Sequence, residues 1–172
     1  RGSGAPVYVA QPAAPQPIAN ATLSAASQLG IHEFESPNGN MMEGAGGISI
    51  AELRINGGRR ESVYDSYIRP RHHYPNLTIL TNALVSRLIL DGSKVVGIDV
   101  VVEGQLRRFY AGCDVILSMG AVNTPKVLMQ SGIGPQGELQ AQGVKVVNHL
   151  PGVGQNYQDH VAFGCTWEYR QP

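Results

Sequence analysis

Cys113-Asp-Val-Ile-Leu-Ser-Met-Gly-Ala-Val-Asn-Thr-Pro125 sets a short apolar run directly before a helix signal. The run, Cys113 to Met119, is of the kind that fills a fully buried parallel strand. Gly120-Ala121 closes it. Thr124-Pro125 then reads as a helix start, with Thr as N-cap and Pro at the first helical position, where its missing N–H costs nothing. The helix expected over 125–131 carries Val127, Leu128 and Met129, which should pack under the sheet beside Ile116, and Gly132 can end it. Glycine at the carboxyl end of a strand lets a ligand approach the backbone closely, and a helix start behind it offers free N–H groups. An ordinary βα connection has the same pattern, and local sequence leaves both readings open.

Upstream of this unit the chain is β-dominated. Asn76 to Ala83 and Val85 to Leu90 read as strands, Asp91-Gly92 as a turn, and Val95 to Val102 as a β-branched strand. Glu103-Gly104 is a second turn and Leu106 to Tyr110 returns, which predicts an antiparallel meander of three or four strands. Downstream, residues 135–142 read as a short helix closed by Gly143, Val144 to Val147 as a strand, and Leu150-Pro-Gly-Val-Gly154 as a tight turn. The amino-terminal third is less regular. Prolines 6, 12, 15 and 17 argue against a helix there, a helix is predicted from Ile18 to Leu29 with Gly30 behind it, and Ile48 to Leu53 alternates like a strand. Glu61 to Ile68 is a candidate short helix stopped before Pro70.

Thirteen basic and thirteen acidic side chains in 172 residues balance to zero, which argues against nucleic acid as a partner. The chain is long enough for one domain with its own core. Charged residues make up only 15%, against about 25% in typical domains, and glycine is abundant, so part of the surface is expected to be an interface. Cys113 and Cys165 sit in apolar runs and are expected to be small buried hydrophobes rather than a disulfide or metal site. No run reaches the ~18 apolar residues of a membrane span, and no signal peptide opens the chain. The opening Arg1 suggests processing or a piece of a longer chain. His72 and His73 are adjacent, a poor arrangement for chelating one ion, and His32 and His149 read as ordinary surface residues.

Gly120-Ala-Val-Asn-Thr-Pro-Lys-Val-Leu-Met-Gln-Ser-Gly-Ile-Gly134 resembles the second sequence signature of the glucose–methanol–choline oxidoreductases, a flavoenzyme family. Pro151-Gly-Val-Gly-Gln-Asn-Tyr-Gln-Asp-His160 resembles that family's following motif at the usual spacing, with Tyr157 where many members have Leu. Arg1-Gly-Ser-Gly-Ala-Pro6, Arg59-Arg60-Glu61-Ser62, Asp65-Ser-Tyr-Ile68 and Pro75-Asn-Leu-Thr78 are also similar in order, so the resemblance spans essentially the whole chain. It is closest to the choline-dehydrogenase-like and alcohol-dehydrogenase-like branch.

The resemblance implies a mixed α/β fold holding part of a Rossmann-type FAD-binding domain. An antiparallel meander, the last parallel strand and helices would occupy 61–160, and substrate-domain elements 1–60 and 161–172. It implies a central portion of a longer enzyme that oxidises a primary or secondary alcohol by hydride transfer to flavin, with the remainder of the polypeptide as partner. The family's Gly-x-Gly-x-x-Gly and its C-terminal catalytic His fall outside these 172 residues; Gly152-Val-Gly154 lacks the third glycine. No catalytic residue is therefore expected here, and the chain alone is expected to be inactive. Val85 matches the position whose main chain meets the adenine of FAD, and Ser118, Met119 and Gly120 match the segment beside the adenosine half. Asp159 and His160 are expected to hold a turn. An FAD-containing hydroxynitrile lyase of the same family, or a noncatalytic remnant that does not bind FAD, are the alternatives. The expected location is the cytoplasm, with peripheral membrane association left open.

Overall fold

The structure, a computed structural model, describes residues 4–166 and 168, and the chain divides into two compact units, Arg1–Ile79 and Leu80–Pro172.

In the first unit α1 spans Pro17–Gln28. Pro17 is the first helical residue, so the last of the four prolines opens a helix instead of forbidding one. The helix ends in a Schellman motif: Gly30, at φ +76°, donates to the Ser27 carbonyl and Ile31 to that of Ala26, each at 3.0 Å. A single turn, α2, covers Asn40–Glu43. The strand expected over Ile48–Leu53 does not form. Its two ends bridge different segments, Ile48 to Glu33 and Leu53 to Ala10, so no continuous ladder arises. A small hairpin joins β1 (Ile55–Asn56) to β2 (Arg59–Arg60). The helix expected at 61–68 is a π-helical turn, Tyr64–Ile68, that continues as a 3-10 turn, Arg69–Arg71, through Pro70 rather than stopping before it. A reciprocal cap fixes its start: the Ser62 N–H and hydroxyl donate to Asp65 Oδ2 at 2.9 and 2.6 Å, and the Asp65 N–H returns a bond to Ser62 Oγ.

The second unit is built on an antiparallel meander, β3 (Ala83–Asp91), β4 (Lys94–Val102) and β5 (Gln105–Tyr110), in the order β3-β4-β5. No strand precedes Ala83 at 76–82; Asn82, at φ +51°, breaks the extended conformation there. At the second turn Glu103 and Gly104 both have positive φ, 51° and 75°, the twist that a two-residue hairpin needs. The run Cys113–Met119 forms no strand and pairs with none among the described residues; Cys113 and Met119 are bends, Met119 at φ −95° and ψ 7°. Its burial alternates, with Val115, Leu117 and Met119 half-buried and Ile116 85% exposed. A strand needs a hydrogen-bonded neighbour, and none lies beside it within the described chain. Both cysteines are exposed, contrary to expectation.

α3 spans Gly120–Gln130 and starts five residues before Pro125, the first helical residue expected. Thr124 is not the N-cap and Pro125 lies inside the helix. Gly120, at φ +82°, allows the chain to turn into the helix directly after Met119. Pro125 cannot bond the carbonyl of Ala121, an exposed residue whose carbonyl solvent can satisfy. Val127 is buried on α3, which packs against β3, whereas Ile116 is 85% exposed. Then follow β6 (Ile133–Gly134), α4 (Gln136–Ala141) and β7 (Asn148–His149), with β6 and β7 pairing in parallel. The expected strand at 144–147 is displaced to β7. Val144 spends its N–H on the Leu139 carbonyl in the Schellman motif that ends α4, and Val147 spends its own on the Gly132 carbonyl. The turn at 151–154 forms as expected. The strand expected from 161 is absent at 161–166; Trp167 and residues 169–172 lie outside the described residues.

Candidate cofactor site

Ser118, Met119 and Gly120 form the entrance to α3. Met119 is the N-cap, and its backbone N–H donates to Thr124 Oγ1 at 3.1 Å. Thr124 thus caps the helix by reaching back from its second turn. A helix leaves four N–H groups without helical partners. With Met119 satisfied, those of Gly120, Ala121 and Val122 remain. Apart from its chain neighbours and the helix's own first turns, no atom lies within 4 Å of the place where a Cβ on Gly120 would sit. Ser118 and Gly120 are exposed and Met119 is half-buried. This is an open, uncharged donor edge, and it fits the nitrogen and oxygen acceptors of an adenosine.

Val85 lies on β3, half-buried, opposite Val100. α3 packs on β3, and the joint is the buried bond from the Leu88 N–H to Ser131 Oγ. The elements carrying Val85 and Gly120 are therefore directly attached.

Next to Val85 lies a cluster that the sequence reading missed. Asp99 is 1% exposed and sits between Arg87 and Arg108, its cross-strand neighbours on β3 and β5. Arg87 Nε donates to Asp99 Oδ2 at 2.8 Å and Arg108 Nε to Oδ1 at 3.0 Å. The Arg87 hydrogen bond, outweighing desolvation and helped by Arg108, holds the Asp99 carboxyl below its ordinary range, and Asp99 in turn raises the Arg108 guanidinium. A lone carboxylate inside the β-branched run Val95–Val102 was the available signal.

A groove of about 580 Å³ beside α3 and α4 adjoins one of about 730 Å³. They share Val122, Pro125 and Gly154, and Tyr157 forms part of the wall. The histidines behave variously. His72 and His73 are exposed, and no group of metal-ligating side chains occurs among the described residues. His32 packs edge-on against Phe34 at 4.4 Å. His149 is not a bystander: its Nδ1 accepts the Gln136 N–H at 3.1 Å and so caps α4. Asp159 Oδ1 accepts the His160 backbone N–H at 2.7 Å, but no turn forms over 157–160, where these two residues were expected to hold one.

The second unit is thus a meander covered by a helix with an exposed start, and comparison with known proteins shows to which family the chain belongs. The pattern of the GMC oxidoreductase family matches residues 5–162, and the chain belongs to that family. It is 41% identical over 161 residues to the mitochondrial choline dehydrogenase of Homo sapiens, covering 94% of this chain and 27% of that protein. It is 34% identical over 172 residues to the oxygen-dependent choline dehydrogenase of Brucella anthropi, covering 100% of this chain and 31% of that protein. The crystal structure of pyridoxine 4-oxidase from Mesorbium loti superposes with a TM-score of 0.80 at 34% identity, over 87% of this chain and 29% of that one. An FAD-dependent oxidoreductase from Chaetomium thermophilum superposes with a TM-score of 0.79 at 26% identity, over 88% and 26%. The chain thus spans about a third or less of the relatives it matches.

Proposed function

We propose that this chain is the central portion of an FAD-dependent oxidoreductase that oxidises a primary or secondary alcohol, and that its own residues serve the adenosine half of the cofactor. The observation that carries the reading is the open helix start at Gly120, within the family match over residues 5–162. Bound FAD supplies the hydride acceptor. The Gly120, Ala121 and Val122 N–H groups donate to the adenosine, Gly120 leaves room for it, and Val85 meets the adenine through its main chain. Met119 is held in place by Thr124, which keeps the helix start aligned. No group here moves a proton from the alcohol.

The remainder of the same polypeptide is the partner. Ile116, Leu84 and Val122, all large, apolar and exposed, form the surface it would cover. Choline is the first alcohol to test, because relatives at 41% and 34% identity carry that name. The two exposed, unbridged thiols, Cys113 and Cys165, suit a reducing compartment such as the cytoplasm. Among the described residues no helix is long and apolar enough to cross a membrane.

The test is anaerobic bleaching of the flavin absorbance of the full-length protein by choline and other small alcohols. Bleaching is expected. Bound flavin that no alcohol bleaches, with cleavage of a hydroxynitrile, would replace this reading with a lyase. A full-length protein that binds no flavin would leave only a noncatalytic remnant.

A further inference from the structure

We propose that Asp99 is a positioning residue for the cofactor: it pins the bulge in β3 that aims the main chain of Val85. This rests on the reading of Val85 given above and adds the group that holds it.

Along the β3–β4 ladder Val85 faces Val100, yet the next pair is Arg87 with Asp99, so Ser86 is the extra residue of a β-bulge. Bulges bend a strand and re-aim the backbone beside them. Both residues after Val85 are tied to Asp99. Ser86 Oγ donates to the Asp99 carbonyl at 3.1 Å, and Arg87 Nε donates to its carboxylate at 2.8 Å. Asp99 itself is held from several sides: it is 1% exposed, it lies in the central strand, and Arg108 holds its second oxygen at 3.0 Å. One residue thus grips the bulge by main chain and side chain together. Among the described residues β3 is an edge strand, with no strand on its other flank to fix the bulge. Asparagine at position 99 keeps the shape but turns one acceptor into a donor facing a guanidinium, which releases one side of the grip.

A clamp that merely stabilises the sheet predicts that cofactor affinity follows stability. The two roles are separated in the full-length protein by measuring the FAD dissociation constant, the thermal midpoint and amide exchange over residues 83–88. In the wild type FAD is expected to slow exchange over 83–88. Asp99→Asn should weaken FAD binding about tenfold, and Ser86→Ala, which removes only one neutral bond, about threefold. Leu139→Ala, a core truncation away from the bulge, should lower the midpoint while leaving the dissociation constant within about twofold. Equal weakening by Leu139→Ala and Asp99→Asn at equal loss of stability would reduce Asp99 to a sheet staple. If FAD protects 83–88 while both bulge variants bind it like wild type, the positioning role fails and the Val85 contact stands. No protection of 83–88 in the wild type removes the Val85 contact, and the proposal with it. Should Asp99→Asn fail to fold, Ser86→Ala alone decides.

Discussion

The backbone N–H of Leu88 donates to the hydroxyl of Ser131 at 2.8 Å, across 43 residues of sequence. The same hydroxyl donates to the Val127 carbonyl at 2.6 Å, so one buried side chain ends α3 and closes the open edge of β3. Ser131→Ala would leave the Leu88 N–H buried without an acceptor, a loss of about 1–3 kcal/mol. The thermal midpoint of the full-length variant checks this; an unchanged midpoint would mean that water replaces the hydroxyl.

At the proposed adenosine edge, Gly120→Leu and Val85→Ala should differ sharply. Gly120 has φ +82°, where a side chain costs ~1–2 kcal/mol of backbone strain, and the space above it is what the cofactor would use. Val85 would contribute only main chain, so truncating it should change FAD affinity little. Equal losses of FAD affinity in the two variants would count against the assignment.

Thr124→Ala removes the acceptor of the Met119 N–H and should cost about 1 kcal/mol, whereas Thr124→Ser keeps the hydroxyl. Thermal midpoints with and without FAD should show the alanine variant losing more of the FAD-induced stabilisation. A serine variant as unstable as alanine would indicate that the methyl group, not the hydroxyl, matters.

Asp99 gives a pH dependence with a defined sign. Its carboxyl is lowered in the fold from the ordinary 3.8, so the folded state binds its proton later than the unfolded state. Its contribution is complete above the ordinary value and is lost as pH falls below it through the lowered folded value. The midpoint difference between wild type and Asp99→Asn should therefore be constant near neutrality and shrink below about pH 4. A difference that grows on acidification would reverse the assignment.

The 172-residue chain purified alone should not oxidise alcohols. The family resemblance puts the general base outside these residues, and such a base is worth about 10²–10⁴-fold. Flavin-dependent turnover by material free of longer chains would contradict this.

The meander was legible because its turns carry their own chemistry: Glu103-Gly104 permits two positive φ values, and the strands alternate or are β-branched. The three helices of more than one turn were located for similar reasons, and Gly30, Gly132 and Gly143 each follow the helix end they were expected to close. The family was legible in the two motifs over 120–134 and 151–160.

Other features are settled by contacts between distant residues. Thr124-Pro125 looks like a helix start, but the glycine at 120 lets the helix begin earlier, and the threonine hydroxyl serves by reaching backward. Cys113–Met119 has the composition of a buried strand, yet a strand exists only beside a partner, so the run stays outside any sheet of the described residues and Ile116 is exposed. Composition marked Asp99 as one charge among thirteen acidic residues. Only pairing β3, β4 and β5 in register brought Arg87 and Arg108 to its two oxygens, because cross-strand neighbours are fixed by the ladder and not by distance along the chain. Local periodicity and turn chemistry thus determined the elements, while the burial and partners of each polar group were decided by register, which no single segment encodes.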